Sequence, residues 1–214
     1  MATVIVYVDG FNLYYGAVRG TPYKWLDIAA VCERLFPRDE IVRIRYFTAR
    51  IKGREGDAGA PQRQETYLRA LRTIPRLSIH EGHFREDIRR RRLAHPPRGG
   101  PATVEVLITE EKGSDVNLAT YLIHDALTGA CETSIVMSND SDLTLPIDLL
   151  GQQGHPVGVV NPHPPAKASS DLRRVAAFYK QLRQGTLASC QFPETLVDDQ
   201  GAFNRPPAWG LPGS

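Results

Sequence analysis

Hydrophobic positions fall into short blocks whose spacing switches between strand-like and helical. Thr3-Val4-Ile5-Val6-Tyr7-Val8 is a nearly continuous β-branched run, the pattern of a strand covered on both faces, and Asp9-Gly10 ends it. From Trp25 to Phe36 the residues Leu26, Ile28, Ala29, Val31, Cys32, Leu35 and Phe36 recur at helical spacing until Pro37. Ile41 to Thr48 reads as a second strand, and Ile51 to Ala60, with three glycines and several charges, as a loop. Pro61 opens a helix to about Ile74 with Tyr67, Leu68, Leu71 and Ile74 on one face. Leu77 to Phe84 and Ala102 to Ile108 read as strands, and the Pro/Gly loop His95 to Pro101 lets them pair as a hairpin. Ser114 is placed to cap a helix from Asp115 to about Leu127. Then come a buried strand (Thr133 to Met137), a helix (Leu143 to Leu150), a strand (Pro156 to Val160) and a last helix capped by Ser169 or Ser170 and reaching about Arg183.

Strands that alternate with helices predict a parallel α/β sheet in one domain over residues 1–184. Residues 185–214 are rich in Gly and Pro and read as an irregular tail. Phe203 and Trp209 are its candidates for packing on the domain or on a partner. The 42% hydrophobic and 23% charged content of the 214 residues excludes a disordered or fibrous chain. No apolar run approaches the roughly 18–20 residues of a membrane span. Met1 leads directly into a strand without a signal sequence, so a cytoplasmic location is expected. Cys32, Cys131 and Cys190 are far apart and form no metal-binding or disulfide pattern.

The chemistry is suggested by where acidic residues fall. Asp9 directly follows the first strand, and Asp140 and Asp142 follow the strand ending at Met137 in Ser138-Asn139-Asp140-Ser141-Asp142. Parallel sheets bind ligands beyond the carboxyl ends of their strands, where strand order reverses. If these two strands are neighbours there, three carboxylates converge, and Asp115 in the first turn of its helix supplies a fourth. Such a cluster needs a counter-charge, and an all-oxygen donor set favours Mg²⁺ or Mn²⁺. That ion can activate water and stabilise charge developing on a phosphodiester. Asn12, one turn beyond Asp9, adds a neutral oxygen or orients a phosphate, and Ser138 and Asn139 bond within the same loop. Each acid also has an ordinary reading: a turn at Asp9, a helix cap at Asp140 or Asp142, a dipole partner at Asp115.

Five segments carry a family resemblance. Val6-Tyr7-Val8-Asp9-Gly10-Phe11-Asn12-Leu13 resembles the opening motif of the NYN domain family, a branch of the PIN-like nucleases. Lys112-Gly113-Ser114-Asp115-Val116-Asn117-Leu118-Ala119 and Ser138-Asn139-Asp140-Ser141-Asp142-Leu143 resemble its second and third motifs. Gly154-His155-Pro156-Val157 and Ala168-Ser169-Ser170-Asp171-Leu172 are similar to its closing blocks. The resemblance spans about residues 3–183. It implies a three-layer α/β/α, PIN-like fold and metal-dependent cleavage of RNA, with Asp9, Asp115, Asp140 and Asp142 as the acidic site and Asn12 beside them. Two features depart from the family pattern: Ala177 stands where an acidic residue often follows Arg-Arg-x-Ala, and the segment before Ala102 is long and basic.

Charge bears on the partner. Residues 1–98 carry 19 Lys+Arg against 11 Asp+Glu, and residues 99–214 carry 7 against 13. A basic half points to a polyanion, and most of these cations are Arg, whose planar fork suits phosphate. Arg89, Arg90, Arg91 and Arg92 form a candidate phosphate-binding arm. Arg50, Lys52 and Arg54 follow the second strand on the expected active-site edge, Lys112 precedes Asp115, and Tyr14 and Tyr15 are candidates for stacking on RNA bases. Dinucleotide, Walker and serine-hydrolase signatures are absent. The expected function is a metal-dependent ribonuclease acting on single-stranded or structured RNA. The alternatives are an RNA-binding regulatory module with little turnover and a metal-dependent enzyme for a small phosphorylated or aromatic molecule. A homodimer is compatible with the sequence, since two-fold dimers are common.

Overall fold

The strand Thr3–Asp9 (β1) lies at the middle of the sheet, and six of its seven residues are buried. The computed structural model describes residues 1–53 and 56–210. Arg54, one of the candidate phosphate contacts, lies outside the described residues. β1 pairs in parallel with Glu40–Ala49 (β2) on one side and with Thr133–Met137 (β5) on the other. Beyond β2 lies Leu77–Arg92 (β3), parallel to it, and then Thr103–Lys112 (β4), antiparallel to β3. Beyond β5 lie Val157–Asn161 (β6) and Phe178–Gln181 (β7), both parallel. The seven strands are ordered β4-β3-β2-β1-β5-β6-β7, so strand order reverses between β1 and β5.

Helices cover both faces, giving the three-layer α/β/α fold. Gly10–Leu13 (α1) continues directly into a π-helical turn, Tyr14–Val18. Ile28–Leu35 (α2) and Ala60–Arg72 (α3) cover one face over Val4, Val6, Val8, Ile44 and Tyr46. Ser114–Leu127 (α4), Thr144–Gln152 (α5) and Ser170–Val175 (α6) cover the other over Ile5, Tyr7, Phe47 and Val136. Alternate residues of one buried strand thus feed two cores, which is why β1 reads as a continuous apolar run. Inside the α4 layer, Asp125 accepts two hydrogen bonds from Arg45 (2.7 and 2.9 Å) and one from the Tyr7 hydroxyl (2.9 Å). The Arg45 guanidinium also lies over the Tyr121 ring at 4.3 Å.

The structure corrects the sequence expectations at four places. β3 does not stop near Phe84 but runs on to Arg92, so Arg89–Arg92 belong to a two-stranded ribbon with β4 and not to a loop. The β-branched residues of β4 supply cross-strand contacts that the charged half of β3 does not advertise. The cap before α4 is Gly113 at φ 99°, a left-handed conformation suited to glycine, while Ser114 is the first helical residue. The last helix stops at Val175, and Phe178–Gln181 joins the sheet edge instead, with the Phe178 ring seated where Gly158 carries no Cβ.

The C-terminal segment is not irregular. It forms Gln184–Ser189 (α7) and a hairpin of Thr195–Asp198 (β8) with Gly201–Asn204 (β9). The hairpin packs on its own chain: Trp25, fully buried, meets Phe192, Phe203 and Trp209, and its indole N–H donates to the Pro193 carbonyl at 2.8 Å. Arg69 of α3 ties the hairpin down with two hydrogen bonds to Asp198 (2.6 and 2.7 Å). Among the described residues no helix is long and apolar enough to cross a membrane.

Candidate active site

Asp9 ends β1 and caps α1, so its position is set by the strand and its orientation by the helix. One carboxylate oxygen accepts the Asn12 N–H at 2.9 Å, and the other accepts the Ser138 hydroxyl at 2.9 Å. Gly10 has to be glycine here, because a Cβ would stand 2.7 Å from the Phe47 carbonyl oxygen and the Tyr46 ring. Ser138, on the neighbouring strand's exit, also accepts the Asp140 N–H at 3.1 Å. The Asn12 side-chain oxygen accepts the Asn139 N–H at 2.9 Å. These bonds tie the β1 and β5 exits together and bring Asp9 and Asp140 to one cleft at the switch point, as expected from the sequence.

Asp140 caps the single turn Ser141–Leu143 by accepting the Asp142 N–H at 3.0 Å. Its ordinary capping role therefore coexists with its place in the cleft. Asp115 arrives from a different direction, in the first turn of α4, delivered by the returning ribbon strand. Glu111, which the sequence reading passed over, stands beside it and accepts the Ser114 hydroxyl at 2.6 Å and the Ser114 N–H at 3.1 Å.

Electrostatics mark these acids as one group. Burial pushes the Asp9 carboxyl up to about 6; the Asn12 and Ser138 hydrogen bonds oppose the rise, and the Asp115 and Asp140 charges add to it. Partial burial raises Asp115 as well, helped by the charges of Asp140, Glu111 and Asp142. Among the described residues no Lys, Arg or His is ion-paired with any of the four aspartates. An uncompensated, all-oxygen cluster has the chemistry of a hard-cation site. Among the described residues, however, no three acidic, His or Cys side chains stand close enough together to hold a metal ion.

The remaining expected site residues divide into scaffold and surface. Ser138 is fully buried, and Asn139 uses its amide on the Lys167 carbonyl (2.8 Å) and the Ser169 N–H (2.8 Å), so both hold the loops of the cleft in place. Arg50 pairs with Glu65 and Glu81, and Lys52 with Glu86. On the ribbon Arg89 pairs with Asp87 and Glu110, Arg90 with Glu105, and Lys112 with Glu110. Arg91 and Arg92 are exposed and make no ion pair among the described residues. The anticipated basic arm is thus a ribbon of mixed charge. Tyr14 and Tyr15 are 38% and 52% exposed, and Phe84 of the ribbon packs edge-on against Phe11 at 5.8 Å. Two open concavities of about 470 Å³ lie elsewhere, one against Ile74, Phe192 and Leu196 and one against Phe36 and Lys180.

The NYN domain model matches residues 3–182, taking in every element from β1 to β7. The chain belongs to the NYN domain family. This nuclease-like family suggests an enzyme, and the C-terminal segment lies beyond the matched domain. The chain is 31% identical over 235 residues to a protein of Pseudomonas putida named 6-hydroxy-3-succinoylpyridine 3-monooxygenase, with 95% of this chain and 74% of that protein covered. A crystal structure of a protein of unknown function from Vibrio parahaemolyticus shares the fold, with a TM-score of 0.54 at 17% identity over 94% of this chain and 96% of that one. Within the NYN fold, Glu111 and the Phe11–Phe84 contact are the site features that sequence reasoning missed. Neither belongs to a periodic pattern; the signal for Glu111 was its place four residues before Asp115.

Proposed function

We propose that this NYN protein hydrolyses RNA phosphodiester bonds at the Asp9–Asp115–Asp140–Asp142 cleft with the help of Mg²⁺ or Mn²⁺. The observation that carries the reading is the uncompensated carboxylate cluster at the β1/β5 switch point, in which burial, with a smaller push from the Asp115 and Asp140 charges, raises Asp9 to about 6. Asp9, Asp115 and Asp140 would hold the cation, and Asp142 would complete the set; binding would draw together acids that otherwise repel. When bound there, the cation would supply neutralisation of phosphodiester charge and a more acidic water. The protein's part is positioning. Ser138 and the Asn12 N–H fix the Asp9 carboxylate, and Asn12 and Asn139 lock the two strand exits. Arg91 and Arg92 are the ribbon cations left to meet phosphate.

The test is cleavage of labelled single-stranded and hairpin RNAs with Mg²⁺, Mn²⁺ or EDTA. Metal-dependent products that vanish in Asp9→Asn support the proposal. RNA binding without products under every metal would make the protein a binding module instead. A second reading follows the Pseudomonas putida relative: an enzyme acting on a small aromatic molecule, with the Phe11–Phe84 pair and the exposed Tyr14 and Tyr15 as its candidate ring contacts. Its signature would be conversion of a hydroxypyridine by the wild-type protein with RNA left intact.

A further inference from the structure

The β3–β4 ribbon leaves the sheet at Gly82, where pairing with β2 ends at Ala49, and runs ten paired residues further, from His83–Lys112 to Arg92–Thr103, without a register shift. Two strands alone are marginal in water. β4 is also an edge strand of the sheet. Natural edges are usually blunted by Lys, Pro or a bulge. Here Thr103-Val104-Glu105-Val106-Leu107-Ile108-Thr109 has no Lys or Pro and is rich in β-formers. At its middle Leu107 sits opposite Ile88, and these two side chains are 67% and 73% exposed. Neither faces the core.

We infer that the open edge of β4 pairs with the same edge of a second copy, antiparallel and centred on Leu107. The pattern of the ribbon selects both the partner and the register. A two-fold axis at Leu107 sets Leu107 against Leu107 of the partner subunit, so the exposed Ile88–Leu107 pair of each copy joins one continuous apolar row. On the opposite face the same register sets Val106 against the partner's Ile108. In the next rows Glu105 stands opposite the uncharged Thr109 of the partner subunit, the Arg92–Thr103 row meets Glu111 of the partner subunit, and on the opposite face the Arg91–Val104 row meets Glu110 of the partner subunit, both unlike charges. A centre one residue away in either direction sets Leu107 against Glu105 or Thr109 of the partner subunit and loses the apolar row. Self-complementarity about one residue is what an isologous contact requires. The pairing gives both edges their missing hydrogen bonds and joins two sheets into one. This inference stands apart from the nuclease reading.

The experiment is light scattering on the full chain over a range of concentrations, with Leu107→Lys and Leu107→Cys beside the wild type. The expected wild-type mass is twice 23.8 kDa. Leu107→Lys should halve it while leaving the far-UV circular dichroism spectrum of the folded chain in place, because Leu107 is exposed within a single chain. Under mild oxidation Leu107→Cys should form a covalent dimer, whereas Val104→Cys should not, being opposite Glu110 of the partner subunit. The native thiols are all buried, so they give little background. A monomeric wild type overturns the inference. So does a dimer that survives Leu107→Lys and leaves Leu107→Cys uncrosslinked. If the protein is monomeric and RNA protects the thiol of the Leu107→Cys variant from alkylation, the ribbon belongs to nucleic acid, and that too overturns the inference.

Discussion

The raised Asp9 carboxyl predicts a particular dependence of stability on pH. Its folded-state value of about 6 lies above its ordinary 3.8. A carboxyl raised on folding contributes stability that is fully present below the unfolded value and lost as pH rises through the folded one. The gap of about 2 pH units is worth about 3 kcal/mol, so ionised Asp9 costs the metal-free fold on the order of 3 kcal/mol at neutral pH. Asp9→Asn removes this titration. It also disturbs the hydrogen bonds with Asn12 and Ser138, whose preference for the ionised carboxylate is already contained in the value of about 6. The difference in unfolding free energy between Asp9→Asn and wild type should therefore move in favour of the variant by about 3 kcal/mol between acid and neutral pH, with about 1.4 kcal/mol of this between pH ~5 and ~7.5. The difference matters, because burial lowers His80, His155 and His163, and their titration tilts the wild-type curve the opposite way. Urea melts of both proteins in EDTA across this range measure it. A difference that stays flat with pH, or that shifts toward the wild type as pH rises, would refute the assignment of a buried, mutually repelling Asp9.

Other consequences follow from the packing. Asp125→Leu leaves Arg45 buried without its partner and should cost about 3–5 kcal/mol, whereas Arg45→Met combined with Asp125→Leu should recover most of it; denaturant melts of the three variants decide this. Burial alone would raise Asp125, but Arg45 and Tyr7 hold it below the ordinary Asp range, so its contribution persists above that range and is lost only as pH falls through the lowered value. Gly10→Ala forces a Cβ against the Phe47 carbonyl and should cost about 1–3 kcal/mol while displacing Asp9; the wild-type melting temperature in that variant would contradict the tight fit. Phe203→Ala should cost about 3 kcal/mol and shift tryptophan emission to the red by wetting Trp25; unchanged emission would mean that the C-terminal hairpin does not shield the indole.

Much of the fold is legible in the sequence because burial on both faces leaves a plain signature. β1 and β5 are such runs, and the acids directly behind them, Asp9 and Asp140, meet once the strands are neighbours. Less legible is whatever depends on long-range partners. Arg89–Arg92 look like a solvated arm because nothing in their own composition reveals β4. The ion pairs that occupy Arg50, Lys52 and Arg90 involve Glu65, Glu81, Glu86 and Glu105, from other elements, so local sequence cannot show that these cations are already paired. The C-terminal segment hides for a similar reason: Phe192, Phe203 and Trp209 are single apolar residues without a period, and only Trp25, more than 160 residues earlier, makes them a core. The helix expected to reach Arg183 is broken by competition from the open edge of β6, which pairs Phe178–Gln181 as a strand.

If the cleft between β1 and β5 is a divalent-cation site used on RNA, its acids must first hold the ion. Crystals soaked in Mn²⁺ and measured at the manganese edge test this most directly. The expected result is an anomalous peak in contact with Asp9, Asp115 and Asp140 that is absent from Asp9→Asn crystals treated in the same way. No peak there at saturating Mn²⁺, or a peak that Asp9→Asn leaves intact, would contradict it.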